Sequence, residues 1–521
     1  MATASTTSPT TAASTADGSA KMTHREVLEA LSGLLLALFV AMLSSTIVSN
    51  ALPRIVADLK GSESGYTWIV VATLLTTTAS TPIWGKLADL FSKKVLVQAA
   101  LVIFTAGSVL AGLSHSMGFL IGARAVQGIG VGGLTALVQV VIASMVSPRD
   151  RGRYSGYIGA TFAVATVSGP LLGGLIVDTP WLGWRWTFYV SIPVAALAFA
   201  VLQKTLHLPL VKRQVTIDYL GAALITGGVS TLLVWVSLAG TDFAWRSVTT
   251  AVMVSVGVLL LALFVVVETR AKQPIIPLRL FRDRTTSLAT LASVMVGVAM
   301  FGSTVFLSQY FQIARGMSPT HAGLMSIPMV GGLMLSSMIT GRRISATGRW
   351  KRFLVSGMVL VVIGMCLLST IDDRTDLVVV GIFMAVLGVG LGAALQNLVL
   401  AVQNNAAQAD MGAASSVVAF FRTMGGSIGV SALGAVLGHQ VSQHVVAGLT
   451  ALGIKAPAGS DSRSVPNLAE LPAPVREVFQ HSFGLATGHI FLVAAPVAAL
   501  ALVAVLFIRE VPLRLTVEKA S

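Results

Sequence analysis

Charge is scarce in this sequence. Asp, Glu, Lys and Arg together make up 11% of its 521 residues, while 55% are hydrophobic. A soluble domain carries about a quarter charged residues, so that class is excluded and a polytopic membrane protein remains. Cysteine is almost missing. Cys366 stands alone in an apolar run, which rules out an intramolecular disulfide and a thiolate metal cluster. The eight histidines show no helical zinc-protease spacing, and no nucleophile–base pair is visible. Neither a metal, a cofactor nor an enzymatic activity is therefore expected. Acids are missing from the middle of every apolar run: Asp178, Asp218 and Glu268 lie at run ends, and Asp410 lies just before one. The net charge of +14 would point to nucleic acid in a soluble chain. In a membrane protein it reads instead as Lys and Arg gathered in the loops of one side, with no nucleic-acid partner.

What is abundant is apolar sequence in span-length pieces. A Ser-, Thr- and Ala-rich tail, read as disordered, precedes the first run at 31–48. Later runs fall at 66–84, 95–113, 117–146, 155–177, 187–203, 218–239, 248–268, 287–312, 321–341, 353–369, 377–403, 414–438 and 487–508. These fourteen runs suit helices crossing a bilayer at varied tilt. The first is long for a signal-peptide core and many spans follow it, so it reads as uncleaved. Segments on the side of the two termini hold 24 Lys and Arg, the opposite segments hold 9, and Arg124 and Arg422 lie inside spans. That asymmetry predicts a multi-pass protein of the cell membrane with both termini in the cytoplasm. The long outer segment 439–486 reads as a solvated cap with two weakly amphipathic pieces.

One span is unusually bare. Residues 156–174 carry no charge over nineteen positions and contain Gly156, Gly159, Gly169, Pro170, Gly173 and Gly174. Proline removes a backbone donor and bends the helix, and the glycines let a second backbone approach closely. A moving seam between helix bundles needs such a helix; a kinked span in a static bundle is the plainer alternative. Adding 256 to Gly85, Gly169 and Gly173 lands on Gly341, Gly425 and Gly429. A constant offset between glycine-rich spans points to an internal duplication whose halves meet at those helices.

Polar residues inside spans mark the remaining candidates. Arg124 and Arg422 are costly in hydrocarbon and need a cavity, a partner or an anion. Arg422 sits about nine residues into its span, ~13 Å deep. Span 1 carries Ser44, Ser45, Thr46, Ser49 and Asn50, with Ser45 and Ser49 on one face and Thr46 and Asn50 on another. Gln127 lies in span 4. Gln396 and Asn397 recur after seven residues as Gln403 and Asn404, a stripe that either glues helices or lines a wet cavity. Phe306, Gln309, Tyr310, Met325, Met329 and Phe421 could supply cavity walls; packing is the default role for each singly.

The segments around Gly156 and Gly169–Gly174 resemble the antiporter motif of span 5 in major facilitator superfamily exporters, with Ala165 where the family has a middle glycine. Gly85 to Lys94, with Asp89 and Lys93, resembles that family's loop between spans 2 and 3, which latches the outward-facing state. Leu90 and Ser92 depart from the family's usual Arg and Gly. Arg124 to Gly132 resembles the span-4 motif linked to proton transfer. Leu43 to Pro53 resembles the signature of fourteen-span drug:proton antiporters, with Ser44 in place of the family's acid. Together with Trp184–Phe188, Ser318-Pro319 and Arg509–Leu513, the resemblance is to the actinobacterial type of that branch.

It implies an all-α major facilitator fold: a tail 1–25, a six-helix bundle 26–210, an inserted helix pair 211–275, a second six-helix bundle 276–508 and a tail 509–521. It also implies a monomeric multidrug efflux antiporter that confers antibiotic resistance. Such a protein exports small lipophilic molecules across the lipid bilayer in exchange for protons, by alternating access. Asp89, Asp178 and Arg124 are then the candidates for proton coupling, and the missing span-1 acid points to a neutral or anionic substrate. An importer or metabolite transporter of the same fold, and a membrane sensor, are the alternatives.

Overall fold

The computed structural model describes residues 24–59, 63–179, 181–206, 218–240, 243–271, 273–407, 410–454 and 472–513. The N-terminal tail and residues 514–521 lie outside them. Sixteen α-helices carry the described chain: α1 (His24–Asp58), α2 (Glu63–Leu90), α3 (Lys93–Gly112), α4 (Met117–Met145), α5 (Pro148–Asp178), α6 (Trp186–Tyr189), α7 (Ser191–Thr205), α8 (Tyr219–Leu238), α9 (Val248–Arg270), α10 (Arg284–Gln309), α11 (Pro319–Leu324), α12 (Ile327–Thr347), α13 (Lys351–Leu368), α14 (Leu377–Asn405), α15 (Met411–Ala451) and α16 (Ala473–Leu506). Helices are forced by the solvent, because hydrocarbon offers backbone N–H and C=O groups no partner outside the segment. Ser116, Ser147, Asp218, Ser247, Asp283, Ser318 and Asp376 each accept a backbone N–H bond at a helix start.

Among the described residues, thirteen helical segments are long and apolar enough to cross a membrane. Three of them join pieces: α6 with α7, α10 with the π-helical turn Tyr310–Ala314, and α11 with α12. The remaining long helix, α2, is diluted by Thr76, Thr77, Thr78, Ser80 and Thr81. Its hydroxyls are nevertheless satisfied inside the protein. Thr76, Thr78 and Thr81 donate to carbonyls one turn back, and Thr73 and Thr77 donate across to Arg124 and Gly128 of α4.

Two large cores organise the helices. One runs from Val27 to Leu206 and the other from Leu280 to Leu513. The 256-residue offset reappears as packing. Gly169 of α5 lies against Thr46 of α1, where a Cβ would come within 2.0 Å of the Thr46 hydroxyl. Gly425 of α15 lies against the Val294 carbonyl of α10, where a Cβ would come within 2.2 Å. So α1–α5 and α10–α15 are equivalent pairs within the two halves. The halves meet through a second equivalent set, α2 against α15 and α5 against α12. α8 and α9 pack on each other, and α8 leans on α2 and α15.

Two expectations change here. Gly169 faces α1 in its own half, and the contact with the other half belongs to Gly156 and Gly159, which face Met338 and Ser337 of α12. α5 continues as one helix through position 170. The outer segment 439–486 is also more regular than a loop. α15 has 41 residues and α16 has 34, so they run ~61 Å and ~51 Å at 1.5 Å per residue. Both exceed the ~30 Å of a hydrocarbon core, so the pair projects beyond it. Gly448 lets Val478 close the projecting pair; residues 455–471 lie outside the described chain.

Candidate functional site

The end of the molecule where α1 begins and α16 finishes is called here the terminal face. There the two halves are tied by polar contacts. Asp89, in the last turn of α2, accepts from the backbone N–H groups of Gly412 at 2.7 Å and Ala413 at 3.0 Å. These are orphan donors of the α15 N-terminus, where the helix dipole favours an anion. The residue before that helix, Asp410, does not cap it, because both its carboxylate oxygens accept from Arg279 at 2.8 Å. The cap is thus supplied from the other half. Contact is close enough that a Cβ on Gly85 would lie 2.0 Å from the Ser416 hydroxyl.

The equivalent seam is tied in the same region. Arg149 of α5 donates to the Ser345 and Ala346 carbonyls near the end of α12, at 3.1 and 3.2 Å. Arg151 is buried. Its guanidinium bonds the Ala143 and Val146 carbonyls at the end of α4 and reaches Gln403 of α14 at 2.9 Å; Gln403 in turn donates to Ser415. One layer deeper, Gln139 of α4 donates to Gln396 of α14 at 3.4 Å. A cavity of about 20 Å³ separates these groups, lined by Gln139, Arg151, Gln396 and Gln403; it has room for a single water. Toward the opposite face the seam is covered by α11, with Thr320 against Gly174 of α5.

A second polar cluster lies inside the first half. Arg124 of α4 is buried; it donates to the Gln127 side-chain oxygen, and its Nε has no partner among the described residues. Gln127 passes two bonds on, to Ser44 of α1 at 3.0 Å and Ser108 of α3 at 2.7 Å. Three of the sequence candidates, Ser44, Arg124 and Gln127, therefore form one network, and no carboxylate of the described residues belongs to it. Arg422 of α15 is half-buried with no polar partner among the described residues.

Other candidates are scattered. Gly173 is buried in α5, Lys93 opens α3 half-buried, and Ser45 is exposed. Side chains of Ser49, Asn50, Pro170 and Asp178 lie outside the described residues. Phe306 and Met329 are buried in the second core, and Gln309 is half-buried beside Tyr310. Tyr310 is fully buried at the opposite face, where its hydroxyl donates to the Asp372 carbonyl at 2.6 Å. Phe421 meets Phe281 and Phe420 edge to face and packs toward the α8–α9 pair. Asn397 donates to Ala393 in its own helix. These side chains do not surround one chamber as expected, since helix register turned the apolar ones inward to pack. A cavity of about 410 Å³ opens instead between α12 and α14 near the opposite face, with wholly apolar walls including Phe311, Met325, Pro328 and Ile382.

Gln403 belongs to the amide stripe read from the sequence, whereas Arg149, Arg151, Gln139 and Ser108 carry no such mark there. Arg149 and Arg151 were counted as ordinary loop cations. Gln139, alone among Val138, Val140 and Val141, was the available signal.

Comparison with known proteins agrees with this architecture. The family model described as Major Facilitator Superfamily matches residues 34–430. An uncharacterized MFS-type transporter of Mycobacterium tuberculosis is 36% identical over 485 residues, which cover 92% of this chain and 69% of that protein. The multidrug transporter protein MdtP of Bacillus subtilis is 35% identical over 80% of this chain and 76% of its own length. The efflux pump dotC of Dothistroma septosporum is 34% identical over 94% of this chain and 84% of its own. Among solved structures, the human organic anion transporter MFSD10 superposes with a TM-score of 0.59 at 15% identity, covering 91% of this chain and 99% of that one. The proton:xylose symporter XylE gives 0.59 at 14%, covering 91% and 95%.

Proposed function

The chain belongs to the major facilitator superfamily of transporters, and from that premise we propose that it exports lipophilic small molecules by alternating access in exchange for protons. α2 supplies a fourteenth crossing in this reading, and the terminal face lies in the cytoplasm of a plasma-membrane protein. One observation carries the reading: the repeat-related seams α2–α15 and α5–α12 are both tied at the terminal face, by Asp89 on one and Arg149 on the other. Such paired ties close the cytoplasmic side, and their release opens it. The efflux-pump and multidrug-transporter relatives, at about 35% identity, support outward movement of drug-like compounds.

The substrate class follows from the inner network. Ser44 hydrogen-bonds Gln127, and the buried Arg124 has no carboxylate within its network. A cationic drug would meet like charge there without a neutralising acid, so the substrate is neutral or anionic. Purified protein in vesicles, given neutral, anionic and dicationic compounds with and without an imposed pH gradient, tests both parts. Gradient-dependent movement of neutral or anionic compounds is the expected result. Efficient movement of permanent dications alone would overturn the substrate reading, and transport indifferent to the gradient would overturn proton exchange.

A further inference from the structure

The α8–α9 pair ends in a buried acid that the transport reading leaves unused. Glu268, in the last turn of α9, is 3% exposed. One of its oxygens accepts from the backbone N–H groups of Ile275 at 3.0 Å and Ile276 at 3.3 Å, where the chain folds back after α9. The other oxygen, Oε2, is buried with no hydrogen-bond partner among the described residues. Asp218, the half-buried cap of α8, lies at the same end of the pair; its Oδ1 accepts from Gly221 at 2.8 Å. The charged groups acting on Glu268 are Asp218 from α8 and Lys86 from α2; its remaining bonds are to backbone. An ionised carboxylate accepts only, so Glu268, buried with one open oxygen, carries a charge and an acceptor that its surroundings do not satisfy. A proton on Glu268 removes both faults, cancelling its charge and turning the open oxygen into a donor.

We propose that Glu268 is a proton-binding site at the foot of the inserted helix pair, through which pH at the terminal face acts on the latch. Lys86 provides the link. It follows Gly85 and lies three residues before Asp89, in the turn of α2 that grips the start of α15. α2 packs on α8 and α8 on α9, so a change of charge at Glu268 reaches the latch turn. The existence of the site stands on burial and an open oxygen alone; its influence on transport rests on the reading above.

Infrared difference spectra of the reconstituted full-length protein between acid and alkaline buffer test the site directly. Wild type is expected to show a protonated-carboxyl band that disappears on going alkaline. The band is lost in Glu268→Gln, and retained in Glu268→Asp, in Asp218→Asn and in the latch variant Asp89→Asn. Absence of the band from wild type, or its survival in Glu268→Gln, overturns the proposal. Circular dichroism of each variant ensures that a lost band reports titration and not unfolding. In vesicles that transport, Glu268→Gln is expected to flatten the dependence of rate on pH at the terminal face. An unchanged profile overturns the link to the latch while leaving the infrared result to decide the site.

Discussion

Asp89 concentrates the argument about single residues. It gives up two water-facing oxygens for two backbone donors that belong to the other half of the molecule. Hydrogen bonds to a charged group are worth about 1.5–3 kcal/mol. Asp89→Asn should therefore shift the closed–open balance by roughly ten- to a hundredfold toward opening at the terminal face. In a Cys366→Ser background, a cysteine at Ser345 on the neighbouring seam should be alkylated faster when Asp89 is replaced. An unchanged rate would remove Asp89 from the latch. Gly85 makes the steric counterpart. A side chain there meets the Ser416 hydroxyl at 2.0 Å and the Gly412 carbonyl at 2.8 Å, whereas a side chain at Gly118 meets nothing within 4 Å. Gly85→Val is expected to reduce transport severely at normal expression, with Gly118→Val near wild type. Equal activity of the two would contradict a tight seam at α2.

Among the elements, α4 and α14 approach each other just beneath the latch. Gln139 and Gln396 touch across the halves, with Arg151 and Gln403 nearer the terminal face. Cysteines at Gln139 and Gln396, joined by a short bifunctional reagent, should lock the terminal face shut and abolish transport, while either single cysteine transports normally. Full transport in the linked protein would place the moving seam elsewhere. Much of this level was legible in sequence. Apolar runs announced the spans, and the constant offset at Gly85, Gly169 and Gly173 announced paired helices. What sequence could not supply was rotation. Whether Gly169 faces α1 or α12, or whether Phe421 looks into a chamber or toward α8, depends on a fraction of a helical turn that glycine-rich, all-apolar helices leave unmarked. The projecting α15–α16 pair was missed for a related reason. Its helices carry polar residues such as His439, Gln443 and His444 on a surface beyond the bilayer, where hydropathy no longer signals a helix.

At the scale of the whole molecule, two cores are joined by tied seams, and the proposed transport requires that body to open on one side as it closes on the other. α11, a short helix leading into α12, covers the α5 seam near the opposite face. In the proposed motion it is the piece that yields when the terminal face tightens. Spin labels report the motion most directly. One pair, at Phe91 and Arg343, spans the terminal face, and another, at Trp181 and Arg374, spans the opposite face; all four residues are exposed. Electron–electron distance measurements in lipid, with and without substrate and across a change of pH, should show the two distances changing in opposite senses. Distances that stay constant, or that lengthen and shorten together, would contradict alternating access between these halves.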